Sequence, residues 1–169
     1  GSLEGIRIRR IHLEEDPGAL VHKKTFCLID YNRSGIPLIE IVTEPDFKSS
    51  SEVRQFLKKL ITILEYLDVY TRQSEATMKA DINLSTTGER VEIKNISSLK
   101  EIERALDYEI IQQEKNPAKT QQTLSWDPNK GKTIVTREKE TEEEYGYIFD
   151  SDLTKIEISQ EFLKEIEKQ

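Results

Sequence analysis

The chain has 169 residues, of which 36% are hydrophobic and 34% are charged, and its formal net charge is −7. This length fits one domain, or one domain and the start of another. Mixed charges with regular apolar patterns predict a folded, heavily solvated protein, and the negative charge argues against a broad nucleic-acid-binding face. The single cysteine, Cys27, excludes an internal disulfide and suits the cytoplasm. No apolar run approaches the roughly 20 residues of a membrane-spanning helix.

The first half of the chain predicts strands followed by one helix. Alternation over residues 6–14 predicts a strand, but its apolar positions change from even to odd numbers, which requires a β-bulge or a second buried face. Residues 25–31 and 36–43 predict two more strands with a turn between them. Residues 49–51 start an amphipathic helix that ends near Asp68.

The second half predicts two hairpins and another helix. Residues 78–85 and 90–94 alternate around a turn and predict a hairpin with one apolar and one polar face. Ser98 and Glu101 fit a capping box, which opens a helix that ends before Pro117. Residues 123–126 and 133–137 predict a second hairpin. This order of elements predicts the α+β class, with a mostly antiparallel sheet and helices packed on it.

Glu40 is the strongest single candidate for chemistry, because it interrupts an otherwise apolar strand. A buried carboxylate is costly unless it is paired or binds a metal. Glu14, Glu15 and Asp16 form an acidic run at the end of the first strand, and oxygen ligands of this kind suit Mg²⁺ or Ca²⁺. A structural ion pair and a solvated loop are the ordinary interpretations of these features, and both stay open.

The polar face of the first hairpin carries Asp81, Asn83, Glu92 and Lys94. By itself this is a typical wet face of a sheet. Joined to the carboxylates of the first strands, it would suit phosphoryl transfer, in which carboxylates hold Mg²⁺ and a lysine offsets developing charge. The sequence has no P-loop, so a nucleotide would need a different kind of site.

Nucleophilic catalysis by the protein is not favoured. Cys27 lies in an apolar run and is predicted to be an inert thiol in the core. With only two histidines, a catalytic triad is not expected. Trp126 is predicted to be a packing residue at a hairpin end.

Several segments together resemble the B subunit of the tRNA-dependent aspartyl/glutamyl amidotransferase. The resemblance covers nearly all of residues 5–158, and its longest segment is highly specific. The segments are residues 10–16, 30–46, 78–85, 91–95, 126–128 and 144–147.

The two ends of the chain predict a fragment, since Gly1 and Ser2 look like a tag remnant and a helix capped by Ser159 breaks off at Gln169. The resemblance implies that residues 3–158 are part of a cradle-shaped, kinase-like domain and that residues 159–169 are the start of a truncated helical domain. It implies ATP-dependent phosphorylation of Glu on tRNA(Gln) or Asp on tRNA(Asn), then amidation by ammonia from a glutaminase A subunit, which a small C subunit accompanies. Mg²⁺ and ATP are the implied cofactor and substrate. The fragment alone is expected to be inactive, since segments outside it supply further metal ligands and most tRNA contacts.

By the same resemblance, each candidate residue receives a role. The implied metal ligands are Glu14, Glu15, Glu40, Asp81 and Glu92. Glu15 and Glu40 are also implied to be catalytic, while Lys79, Asn83 and Lys94 are implied to bind the nucleotide.

Two alternatives remain open. The paralogous archaeal E subunit acts on Glu-tRNA(Gln) alone, although residues 12–17 and 30–35 look more like the B subunit. A non-catalytic interaction module with an acidic surface belongs to another class, and it predicts no dependence on divalent ions. The sequence does not decide between Glu-tRNA and Asp-tRNA.

Overall fold

The structure, a computed structural model, describes residues 1–71, 78–138 and 156–168. The chain divides into two compact units, Gly1–Lys139 and Glu140–Gln169. In the part described, no helix is long and apolar enough to cross a bilayer. The elements in order are β1 (Ser2–Leu3), β2 (Ile6–Glu15), β3 (Ala19–His22), β4 (Cys27–Asp30), β5 (Pro37–Thr43), α1 (Ser50–Tyr66), β6 (Ala80–Leu84), β7 (Val91–Ile96), α2 (Leu99–Lys115), β8 (Gln122–Asp127), β9 (Lys132–Glu138) and α3 (Gln160–Ile166).

The strands of the first unit form three groups. One sheet has the order β1-β2-β5, a second group is the β3-β4 hairpin, and the largest sheet has the order β6-β7-β8-β9. Every pairing is antiparallel except that of β7 with β8, which α2 connects. The predicted α+β class with a mostly antiparallel sheet is confirmed.

A β-bulge in β2 explains the change of parity in its sequence. Pairing with β5 shifts register between Ile8 and Arg10. Before the bulge, Ile6 is 2% exposed, whereas after it Ile11 and Leu13 are 60% and 83% exposed. The register shift shows the bulge, one of the two alternatives that the sequence left open, although the apolar side chains after it are exposed.

The β3-β4 hairpin differs from the prediction. β3 was not predicted, and Cys27 lies in β4 opposite His22 with an exposed thiol. The prediction of a core thiol is wrong, because both strands of this hairpin are exposed along their whole length. The apolar run around Cys27 reflects strand propensity here, not burial.

The core lies between α2 and the largest sheet. Alternate residues of β7 and β8 meet residues of α2 at helical spacing, and Val53 and Leu57 of α1 pack against them. Trp126 also packs there, as predicted. The fully buried members of the cluster are Val91, Ile93, Ile96, Ile102, Ala105, Leu106 and Leu124.

The two long helices begin differently. The Ser49 side chain caps α1 by accepting a hydrogen bond from the Glu52 amide at 3.2 Å. Ser98 precedes α2 but makes no side-chain capping bond. The predicted capping box is wrong, because Glu101 instead accepts a hydrogen bond from Trp126 Nε1 at 2.7 Å.

Replacement of the two serines by alanine tests this difference. Ser49→Ala removes a cap and should lower the free energy of unfolding by about 1 kcal/mol. Ser98→Ala removes no cap and should leave the free energy of unfolding unchanged within experimental error. Chemical unfolding of both variants measures the effects, and equal losses would contradict the assignment of the caps.

A buried polar pair on α2 faces the largest sheet. Glu109 is 6% exposed and accepts a hydrogen bond from Thr133 Oγ1 at 2.8 Å. Gln113 is 1% exposed, and its Oε1 accepts a bond from the Thr86 amide at 3.0 Å. Burial raises the pKa of Glu109, although its hydrogen bonds to Thr133 and Gln113 act in the opposite direction.

The raised pKa of Glu109 makes stability depend on pH. An unfolded glutamate titrates near pH ~4.3, so stability falls as pH rises from that value through the higher folded pKa. Glu109→Gln removes the cost of burying a charged carboxylate. The melting temperature of this variant should therefore exceed that of the wild type at pH 7. The advantage should disappear on acidification to about pH 4.

The matched control for this prediction is Glu114→Gln, an exposed glutamate on the same helix. It should not alter the pH dependence. A pH-independent effect of Glu109→Gln would show that ionisation of Glu109 is not its cause.

Candidate active site

The pairing of β2 with β5 places several predicted site residues on one face. His12 lies opposite Glu40, and Glu14 lies opposite Leu38. Directly opposed residues share a face, and positions two apart on a strand share it as well. His12, Glu14 and Glu40 therefore occupy the same face of the sheet.

Glu40 combines partial burial with an incomplete set of partners. Its side chain is 41% exposed and lies 3.6 Å from the Arg10 guanidinium, measured to Oε2. That oxygen is shielded from solvent and accepts no hydrogen bond from any residue that the structure describes. Arg10 thus forms the ion pair that the sequence left open, but without a hydrogen bond it compensates this oxygen only in part, and a hard cation would complete its set of partners.

Glu15 has a different environment, because it follows Glu14 and points to the other face. It forms the last pair of the β2-β5 ladder, opposite Pro37. A Cβ atom built on Gly35 would lie 3.4 Å from Glu15 Oε1, and the backbone of Gly35 has a φ of +83°. Glu15 thus lies beside the turn before β5 and is exposed.

Asp16 and Arg33 connect that turn to the end of β2. Asp16 is 7% exposed, and Arg33 donates a hydrogen bond to its Oδ2 at 2.7 Å. Asp16 was predicted as one of three acidic residues at a strand end, but its partner was missed. The sequence predicted the turn that contains Arg33. A predicted turn does not show how close Arg33 lies to Asp16.

A second group of charges lies on β6 and β7. Lys94 Nζ is 2.9 Å from Glu92 Oε1 and 3.4 Å from Asp81 Oδ2. Asp81 Oδ1 also accepts a hydrogen bond from the amide of Asn95, whose φ is +60°. Lys94 therefore compensates both carboxylates, and Asp81 stabilises the bulge beside Ala80.

The remaining nucleotide-binding candidates are accessible. Asn83 is opposite Glu92 in the β6-β7 ladder and is exposed. Lys79 precedes β6 and is exposed as well. Both can reach a ligand from solvent.

The structure thus gathers the predicted site residues into two groups on two sheets. Glu14 and Glu40 share the β2-β5 face, and Asp81 and Glu92 meet at Lys94. Within residues 1–71, 78–138 and 156–168, no group of three or more His, Cys, Asp or Glu is arranged to hold a metal ion. The donor chemistry and the shielded oxygen of Glu40 fit a hard cation, so these residues fit part of a ligand set.

Comparison with known proteins decides the family. Residues 2–164 match the family model described as the GatB/GatE catalytic domain. The chain is 47% identical over 175 residues to the B subunit of the aspartyl/glutamyl-tRNA(Asn/Gln) amidotransferase of Sulfolobus acidocaldarius, an alignment that covers 97% of this chain and 37% of that protein. This chain belongs to the GatB/GatE catalytic domain family.

Other relatives of this GatB/GatE domain agree. It is 50% identical over 165 residues to the B subunit of Methanosarcina mazei, covering 91% of this chain and 33% of the relative. It is 45% identical over 178 residues to the B subunit of Methanocaldococcus jannaschii, covering 99% and 37%. The GatB/GatE domain therefore spans about a third of the length of the curated relatives it matches.

Most of the segments that suggested this family lie in described parts of the GatB/GatE domain. Residues 10–16 form the end of β2 and its continuation, and residues 30–46 contain the turn, β5 and the segment after it. Residues 144–147 lie outside the described residues.

A double-mutant cycle tests whether Lys94 compensates Glu92. The two side chains are 21% and 22% exposed, so the pair is better shielded than a typical surface ion pair. Lys94→Met and Glu92→Gln should show a coupling energy of about 0.5–1 kcal/mol in chemical unfolding.

The Lys130–Asp127 pair provides the control, because its nitrogen and oxygen lie 3.2 Å apart but the lysine is 63% exposed. Lys130→Met with Asp127→Asn should give no measurable coupling. A coupling at Lys94 no larger than at Lys130 would contradict the prediction.

Proposed function

We propose that this chain is part of the catalytic domain of the B subunit of an aspartyl/glutamyl-tRNA(Asn/Gln) amidotransferase. The observation that carries the proposal is 45–50% identity to proteins with that name over nearly the whole chain. The family model includes GatE as well as GatB, but these relatives bear the name of the B subunit. The B subunit is therefore favoured over the archaeal E subunit.

The proposed reaction is the two-step amidation of a misacylated tRNA. The side-chain carboxylate of the tRNA-bound Glu or Asp attacks the γ-phosphate of ATP, and ADP leaves. Ammonia from a glutaminase partner then displaces phosphate and forms the amide. The substrate carboxylate is the nucleophile, so the mechanism requires no thiol and leaves the exposed Cys27 without a role.

The carboxylates of this chain are proposed to hold the metal ion of that chemistry. When bound, Mg²⁺ would neutralise phosphate oxygens and so favour transfer. Glu14 and Glu40 are proposed to hold it from their shared face of the β2-β5 pair, and Asp81 and Glu92 from the second sheet. Glu15 starts on the opposite face and is proposed to reach the ion around the end of the strand. The shielded Oε2 of Glu40, which has an ion pair with Arg10 but accepts no hydrogen bond from the described residues, supports its role most directly.

The basic and amide side chains complete the proposal. Lys94 already lies between two carboxylates, so a nucleotide phosphate would compete with them for its ammonium group. Lys79 and Asn83 are exposed at the same strand and are proposed to contact the nucleotide. The A and C subunits, tRNA binding and a cytoplasmic location stay predictions.

Amidation by the full-length protein tests the proposal. The full-length B subunit with its glutaminase partner should convert Glu-tRNA(Gln) or Asp-tRNA(Asn) in an ATP-dependent manner. Glu40→Gln should lower kcat by about 100-fold, because a group that stabilises the transition state is lost. Measurement of both tRNA products would also show which substrate is served.

Two further measurements control this test. Glu114→Gln changes an exposed glutamate of α2 and should keep the wild-type kcat. Mg²⁺ alone should raise the melting temperature of the wild-type protein but not of Glu40→Ala. A non-catalytic interaction module would show neither effect, and wild-type kcat in Glu40→Gln would refute the role of Glu40.

A further inference from the structure

A compact set of bonds ties the end of β2 to the turn of residues 31–35. Asp16 is 7% exposed and accepts a hydrogen bond from Arg33 at 2.7 Å on Oδ2 and from the Gly18 amide at 2.9 Å on Oδ1. Its backbone takes part too, because its carbonyl accepts from Gly35 N and its amide donates to Ile36 O, both at 2.9 Å. Asp16 therefore holds the end of β2 against the turn of residues 31–35.

Glu15 is the last residue of the β2-β5 ladder and immediately precedes Asp16, the centre of this set of bonds. Its carboxylate lies beside Gly35, where a built Cβ would be 3.4 Å from Oε1. The Gly35 amide donates a hydrogen bond to the Asp16 carbonyl, and Glu15 directly precedes Asp16 in the chain. A movement of the turn would therefore change the space that the Glu15 carboxylate occupies.

We propose that Asp16 and Arg33 are a positioning pair, which holds Glu15 in the orientation needed for phosphoryl transfer. This inference rests on the proposed function, in which Glu15 is a catalytic and metal-binding residue. Asp16 itself is not assigned a ligand role, because both of its oxygens already accept hydrogen bonds from Gly18 and Arg33.

The chemistry of the pair favours this role over a general contribution to stability. Removal of Arg33 would leave a shielded carboxylate without its cation, and such groups rearrange to regain solvent or a partner. Replacing a residue that orients a metal-binding side chain typically lowers activity or metal affinity by roughly 10- to 100-fold. Lysine cannot reproduce the planar guanidinium, so Arg33→Lys is an informative variant.

The test uses the full-length B subunit with its glutaminase partner, assayed well below the melting temperature of each variant. Asp16→Asn keeps the shape of the side chain and an acceptor for Gly18 but loses the charge that pairs with Arg33. Its kcat should fall by roughly tenfold or more, with an unchanged KM for the aminoacyl-tRNA. If Asp16→Asn does not fold, Arg33→Lys carries the same test.

A double-mutant cycle shows whether the effect passes through Glu15. In a Glu15→Gln background, Asp16→Asn should cause no further loss of kcat. Full additivity of the two losses would overturn the inference. A second readout needs no turnover: the rise in melting temperature caused by Mg²⁺ alone should be smaller in Asp16→Asn than in the wild type.

Asp46→Asn is the matched control at the other end of β2. Arg7 contacts Asp46 at 2.7 Å, and its hydrogen bonds lower the pKa of Asp46 to about 2. This pair also joins β2 to the segment after β5, yet it is remote in sequence from Glu15. Its removal should leave kcat unchanged, and a loss equal to that of Asp16→Asn would overturn the inference.

The outcomes separate the inference from the proposed function. Wild-type kcat in Glu15→Gln would refute the catalytic role of Glu15, and with it the inference. A reduced kcat in Glu15→Gln, together with wild-type kcat in both Asp16→Asn and Arg33→Lys, would overturn the positioning pair alone.

Discussion

The register of β2 against β5 determines which acidic residues share a face of the sheet. Side chains alternate along a strand, so a shift by one residue would move every one of them to the opposite face. The bulge between Ile8 and Arg10 makes such a shift once, within the strand. As a result Ile6 is buried near the start, while His12 and Glu14 share the face of Glu40 near the end.

Charge compensation is local in this acidic chain, whose formal net charge is −7. Arg54 pairs with Glu103 across α1 and α2, and Arg104 pairs with Glu101 along α2. The Trp126 and Arg104 hydrogen bonds lower the pKa of Glu101, which keeps that carboxylate charged. These pairs have structural roles, because the charge of each carboxylate is compensated by a neighbouring guanidinium.

The sequence predicted the elements whose signals are local. The change of parity in β2 indicated a bulge or a second buried face, of which the structure has the bulge, and α1 followed from its apolar spacing and Ser49. The predictions that failed depended on neighbours distant in sequence. Glu101 was expected to cap α2, but Trp126, 25 residues away, offers its indole N–H instead. Arg33 was missed for the same reason, because no sequence pattern places its guanidinium against Asp16, 17 residues away.

Asp16 and Glu40 together show how a functional carboxylate differs from a structural one. Asp16 is the more buried residue, and both of its oxygens accept hydrogen bonds, so its desolvation is compensated. Glu40 is less buried, yet its Oε2 is shielded and accepts no hydrogen bond from the described residues. Arg10, 3.6 Å from that oxygen, compensates its charge only in part, so the remaining desolvation cost is recovered when a further cation or donor binds. The missing hydrogen bond, more than burial, therefore favours Glu40 as a ligand and Asp16 as a support.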